Sequence, residues 1–207
     1  MFNEIKVNYL SSSMFSLGDE RSGTVETFVP SLYPDITQEL NEFMKSVSAN
    51  DRLSNNYKNL NYFDYPFVSV TKRNNEIIAT STGYTTSLYP NNCIRILNRY
   101  YRSPSSRLLI TKEYARPTEL ACVEQQLEMV RRLNFDVAMI TRDRAKRQFV
   151  KFTDALSSKG SQAWEVTNNK CLVTTNHNNP RAWQYIGYTK LRNLNYDFQK
   201  HWQTRQE

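Results

Sequence analysis

Histidine occurs twice in the 207 residues, cysteine three times and glycine five times. His177 and His201 have no carboxylate or Cys neighbours at ligand spacing, which leaves a metal site or a Ser-His-Asp arrangement without support. Cys93, Cys122 and Cys171 are far apart and odd in number. Neither a disulfide framework nor a zinc pattern is available to them, and reduced, buried thiols are expected. No Walker loop or dinucleotide fingerprint is present. No apolar run approaches the roughly 18 residues of a membrane span. The first twenty residues contain Glu4, Asp19 and Glu20 without an apolar signal core, so a soluble, cytoplasmic protein with no membrane partner is expected.

What is present argues for a packed domain. Hydrophobic residues make up 39% of the chain, with 13 Tyr, 10 Phe and 3 Trp, enough apolar surface for a real core. One domain over residues 1–196 with a polar tail over 197–207 is the expected organisation. The charge is unevenly placed. From Arg95 to Lys151 there are thirteen basic and six acidic residues, so this stretch carries the whole net charge of +7 and the remainder is balanced. Such a concentration suits a pyrophosphate, a phosphate backbone or an acidic protein face, or simply solvent.

Along the chain, Ile5, Val7 and Tyr9 alternate with polar residues and predict a strand over Phe2–Leu10, followed by a Ser-rich polar stretch to about Thr27. Asp35 predicts a helix start, and Ile36, Leu40, Phe43, Met44 and Val47 recur at helical spacing to about Asn50. Residues 50–64 read as a long connection. Two β-branched runs, Pro66–Arg73 and Glu76–Tyr84, flank Asn74-Asn75, a hairpin signature because Asn tolerates positive φ. Cys93–Tyr101 extends the sheet. A helix is predicted from Pro117 through Leu120, Val123, Leu127, Val130 and Leu133. Phe135–Thr141 reads as a buried parallel strand, and a basic helix follows over about Arg144–Leu156. Trp164–Thr167 and Lys170–Thr175 read as short strands or a hairpin around Asn168-Asn169, with Trp183–Leu191 a further strand.

That order of elements resembles the GNAT-type N-acetyltransferases over about Pro66–Leu191, most of all the divergent GNAT-like proteins of tailed phages of marine bacteria. An Asn content of 21 residues suits an A+T-rich genome of that kind. The resemblance implies an α/β fold, a mixed central sheet with helices on both faces. The run Arg95-Ile-Leu-Asn-Arg-Tyr-Tyr-Arg-Ser-Pro104 stands where the family has the strand leading into its coenzyme loop. Leu120–Leu133 matches the helix after the loop, and Phe135–Thr141 the strand that splays away to admit the pantetheine arm. Acetyl-CoA is the implied cofactor, with no metal, and transfer of an acyl group to an amine acceptor the implied reaction. Leu97, Asn98 and Arg99 would bind pantetheine through the main chain, and Arg107 and Arg116 would meet phosphate.

Two departures stand beside the likeness. The family's loop signature has Gln or Arg, two residues, Gly, one residue, then Gly or Ala, whereas here Ser105-Ser106-Arg107-Leu108-Leu109-Ile110-Thr111 follows Pro104. No glycine occurs between Gly83 and Gly160, so side-chain charge from Arg107, Lys112 and Arg116 would replace a glycine-borne amide cradle. No catalytic base or acid is identifiable. Cys93–Tyr101 has no carboxylate, Glu76 adjoins the hairpin turn, and Phe149 and Phe152 stand where an acid Tyr is sought; Tyr100, Tyr101, Tyr185 and Tyr188 lie elsewhere. The alternative reading keeps the fold without the coenzyme. The basic middle, with Trp164, Trp183, Tyr185, Tyr188 and Trp202, then binds nucleic acid or a phage or host protein.

Overall fold

The computed structural model describes residues 10–15, 23–50, 60–73, 76–86, 92–101, 112–160, 162–174, 181–192 and 197–205. The chain divides into two compact units, residues 1–81 with 99–125 and residues 82–98 with 126–207. Strand β4 (Glu76–Thr85) and helix α2 (Lys112–Arg132) each begin in the first unit and end in the second. The fold class is mixed α/β, with one parallel strand pair among otherwise antiparallel neighbours in the registers described.

In the first unit β1 (Leu10–Phe15), β2 (Gly23–Phe28), β3 (Phe67–Arg73) and the start of β4 are neighbours in that order. β1 pairs with β2 from Leu10↔Phe28 to Phe15↔Gly23, and β2 with β3 from Thr24↔Lys72 to Phe28↔Val68, all antiparallel. The Ser-rich stretch thus contains two strands that polar alternation hides, because ladder hydrogen bonds need no apolar side chain. All of the expected strand at Phe2–Leu10 except Leu10, which opens β1, and the Asn74-Asn75 turn lie outside the described residues. The two-residue connection between β3 and β4 still makes them antiparallel, since a parallel crossover needs a dozen residues or more.

Helix α1 spans Pro34–Asn50. Its first residue is Pro34, pre-set for helical φ, and Asp35 lies in the first turn, where a carboxylate faces the positive end of the helix. Leu40 and Met44 join Phe28, Leu60, Tyr62, Val68 and Val70 in a buried cluster. Two contacts fix the chain where it returns from the long connection. Asn41 Nδ2 donates to Asn61 Oδ1 at 3.0 Å, and the Tyr62 N–H donates to Asn41 Oδ1 at 2.8 Å. The buried Tyr62 hydroxyl then meets Thr80 Oγ1 at 2.5 Å.

In the second unit the order is the end of β4, β5 (Cys93–Tyr101, of which Arg99–Tyr101 belong to the first unit), β6 (Val137–Arg142), β9 (Arg181–Lys190), then β7 (Glu165–Val166), with β8 (Cys171–Thr174) also on β9. The hairpin alternative around Asn168-Asn169 is replaced by a different arrangement: β7 and β8 both pair with β9, at Glu165↔Tyr188 and Cys171↔Gln184. Thr167 keeps the gap between them satisfied. Its N–H donates to Ile186 O at 2.9 Å and its Oγ1 accepts from the Ile186 N–H at 3.0 Å. Helix α3 (Lys146–Lys159) packs Phe149 and Thr153 against Gly187, where an added Cβ would stand 2.9 Å from Phe149 Cζ.

Helix α2 starts at Lys112, five residues before the expected start at Pro117. Lys-Glu-Tyr-Ala-Arg are mostly strong helix formers, and the helix carries Pro117 in its interior at the loss of one backbone hydrogen bond. Residues of the polar tail also join the core. Trp202 packs edge-on to Tyr188, ring centroids 5.3 Å apart, in a buried cluster with Cys93, Val137, Met139, Cys171, Val173 and Ile186. Thr204 bridges to Cys171, and the Arg205 N–H donates to Lys170 O at 2.9 Å.

Candidate functional site

The feature of interest lies in the second unit, where the parallel strands β5 and β6 part. They pair at Cys93↔Val137, Ile94↔Ala138 and Arg95↔Met139, and among the described residues no further pair follows. β6 nevertheless runs on through Ile140, Thr141 and Arg142, paired on its other edge with Gly187, Ile186 and Tyr185 of β9. β5 runs on as well, through Ile96 and Leu97 to Tyr101.

A local conformation accompanies the parting. Leu97 has φ 59°, the left-handed region that a Leu side chain occupies at a cost of about 1–2 kcal/mol. Its N–H donates to Gln126 Oε1 of α2 at 2.8 Å, and both residues are buried. A buried N–H left unpaired would cost more than the net worth of the bond, so the glutamine keeps β5 in this conformation. The flanking contacts are equally specific. Arg95 Nη1 donates to the hydroxyl of buried Tyr84 at 2.5 Å, with its guanidinium carbon 5.4 Å from that ring's centroid. Thr141 Oγ1, on the diverging part of β6, donates to Gln184 Oε1.

The sequence-predicted residues fall as follows. Leu97 and Asn98 belong to the second unit, Arg99 and Arg116 to the first, and Arg107 lies outside the described residues. Leu97 and Asn98 are thus on β5 where it leaves β6, with the Leu97 amide already engaged by Gln126. Gln126 is absent from the sequence prediction, yet it carried a signal. It lies three residues after Val123 and four before Val130, a polar residue on the apolar stripe of a helix, and such a residue needs a partner.

Of the candidate acid tyrosines, Tyr188 is occupied. Tyr188 is buried, donates its hydroxyl to Glu165 and accepts from Gln199 Nε2. Burial and the Glu165 bond push its ionisation up, so it stays a phenol. Phe149 and Phe152 are buried core. Burial likewise pushes the Cys93 thiol up to about 12 and raises Cys171, which suits packed, unreactive thiols. Among the described residues no three His, Cys, Asp or Glu side chains gather as metal ligands. The first unit has a separate cavity of about 490 Å³. Phe28, Ile36, Leu40, Phe43, Val70 and Ile77 line it, with the Lys72–Glu26 pair at 2.6 Å beside them.

No family model matches the chain, and no curated protein does. Solved structures similar to it include a probable acetyltransferase from Staphylococcus epidermidis, at 13% identity and a TM-score of 0.47 over 81% of this chain and 98% of that one. A GNAT-family acetyltransferase from Staphylococcus aureus is similar at 13% identity and a TM-score of 0.41, over 76% and 94%. An acetyltransferase from Bacillus subtilis, solved with CoA, is similar at 9% identity and a TM-score of 0.38, over 61% and 77%.

Proposed function

We propose that the chain is an acyl-CoA-dependent N-acyltransferase of the GNAT type, acting on an amine. The observation that carries this reading is the interrupted parallel pair. Past Arg95 and Met139 the edges of β5 and β6 that had faced each other have no strand partner among the described residues, although Ile96, Leu97, Ile140 and Thr141 are buried. Buried main-chain donors and acceptors call for partners, and an extended thread carrying amides supplies them as a further strand would. The pantetheine arm of acetyl-CoA is such a thread. When bound, acetyl-CoA supplies the acetyl group as an activated thioester.

The chain's own residues hold and orient. Gln126 takes the Leu97 amide, which leaves the Leu97 carbonyl and the main chain of Asn98 and Arg99 as the proposed partners of the arm. Apolar Ile96 and Ile140 exclude water there, which strengthens each main-chain hydrogen bond. Arg107 and Arg116 are the proposed phosphate partners on the strength of the sequence. Neither Ile96–Asn98 nor Ile140–Arg142 contains a carboxylate or a histidine. Acceleration then comes from positioning an amine that is already neutral, a contribution that does not need a dedicated base. Activity should accordingly rise with pH as the acceptor amine loses its proton.

Calorimetric titration with acetyl-CoA, alongside a desulfo analogue that cannot turn over, tests the proposal. Saturable binding of both is expected, and Arg107→Ala with Arg116→Ala should weaken it about tenfold or more. No binding at millimolar coenzyme would refute the reading.

A further inference from the structure

A second feature of the same unit is built from charge and aromatic rings. Trp183, Tyr185 and Gly187 alternate along β9 and so share one face. α3 covers that face at Gly187 through Phe149 and Thr153. Farther along β9, Trp183 and Tyr185 are only half-buried. Residues directly opposite each other in an antiparallel ladder share a face, which adds Arg142, opposite Tyr185, and half-buried Leu172, opposite Trp183.

Cations converge on these rings. The Lys146 ammonium stands 5.5 Å from the Tyr185 ring centroid and the Lys170 ammonium 5.6 Å from it. Lys146 is anchored by donating to Asn168 O at 2.5 Å, which uses one of its three donors. Among the described residues, neither ammonium has a carboxylate within 4.0 Å, so two like charges lie within about 11 Å of each other, by addition of the two distances, without a paired carboxylate. Arg142 adds its guanidinium 6.0 Å from the Phe149 ring centroid. Trp164, Tyr188 and Trp202 are buried and so unavailable for stacking.

We propose that this face binds single-stranded nucleic acid, with neighbouring backbone phosphates held by Lys146 and Lys170, one each, and a nearby base stacked on Trp183. Phosphate accounts for paired cations, and an unpaired base accounts for rings beside them; a duplex keeps its bases stacked internally and an acidic peptide has no base to stack. The site stands whether or not the chain binds acetyl-CoA.

Fluorescence anisotropy of a labelled twelve-residue oligothymidylate, titrated with the full chain at several salt concentrations, tests it. Saturable binding that weakens with salt is expected. Lys146→Gln with Lys170→Gln should make the logarithmic salt slope shallower by about 1.4, for two phosphate contacts on a single strand. Trp183→Leu should weaken binding by about five- to a hundredfold and leave the slope in place. Trp183→Phe, which keeps a ring and guards against a folding defect in the leucine variant, should bind within a few-fold of the parent. An unchanged slope in the lysine variant overturns the site. So does equal affinity for a duplex of the same length, equal competition by polyglutamate, or binding that ignores loss of the ring in a folded Trp183→Leu protein.

Discussion

The paired strands of the first unit and those of the second obey the same backbone chemistry and reach different ends. β1–β2 keeps register through six residue pairs and β2–β3 through five, all antiparallel. β5–β6 is parallel and keeps register through three, although both strands continue beyond the last pair. The completed ladders satisfy their own main chain. The interrupted one has a side-chain partner, Gln126, at the Leu97 amide, while β9 holds β6 along its far edge only, and the rest of the parted edges is buried. On the proposed reading, stopping a ladder is what makes room for the coenzyme, with a few kilocalories of local strain and polar burial held in place by packing around it.

The interrupted region should therefore be the more sensitive to substitution. The largest effect is expected at Gly187, on the strand that still pairs with diverging β6. A Cβ there would meet Phe149 Cζ at 2.9 Å and Thr153 Cγ2 at 3.0 Å in a buried setting, so Gly187→Ala should destabilise by about 1–3 kcal/mol in urea unfolding. Gln126→Leu comes next. It strips the Leu97 amide of its acceptor and should cost about 1–3 kcal/mol, together with a loss of coenzyme affinity that Gly187→Ala need not share. Equal losses of stability with intact affinity would show that the left-handed turn at Leu97 is unrelated to binding.

Alkaline titration sharpens the comparison further. Cys93, on β5, has its folded ionisation raised from 9.0 to about 12 by burial. The unfolded thiol releases its proton above pH 9 and the folded one does not, so this contribution is complete below pH 9 and is lost between pH 9 and 12. Cys93→Ala should flatten that part of the stability–pH curve. The smallest effect is expected in the first unit. The Lys72–Glu26 pair is about one-third exposed at each partner, and Lys72→Met should change stability by less than about 1 kcal/mol.

Much of the fold was legible because its signals are local. The β-branched runs of β3 and β4, the helix carrying Leu40 and Met44 and the apolar run ahead of Thr141 are patterns of a few residues, and each lies within an observed element. What escaped depends on partners distant in sequence. Ser11, Ser12 and Ser13 form a strand because β2 lies alongside, and β7 and β8 follow from the length of β9. The tail reads as polar, yet its Trp202 packs in a buried cluster against Tyr188. For the site, Leu97 and Asn98 were legible as positions on a strand. The parting of β5 from β6 was not, since a left-handed Leu has no sequence signature and its stabilising contact is 29 residues away in Gln126.

The most direct measurement is amide hydrogen exchange with and without saturating CoA. The account predicts new protection at Asn98 and Arg99, next to the already bonded Leu97 amide, and along Ile140–Arg142, with the β1–β2 ladder unchanged. Binding of CoA that leaves both segments without new protection, or no binding at all, would contradict it.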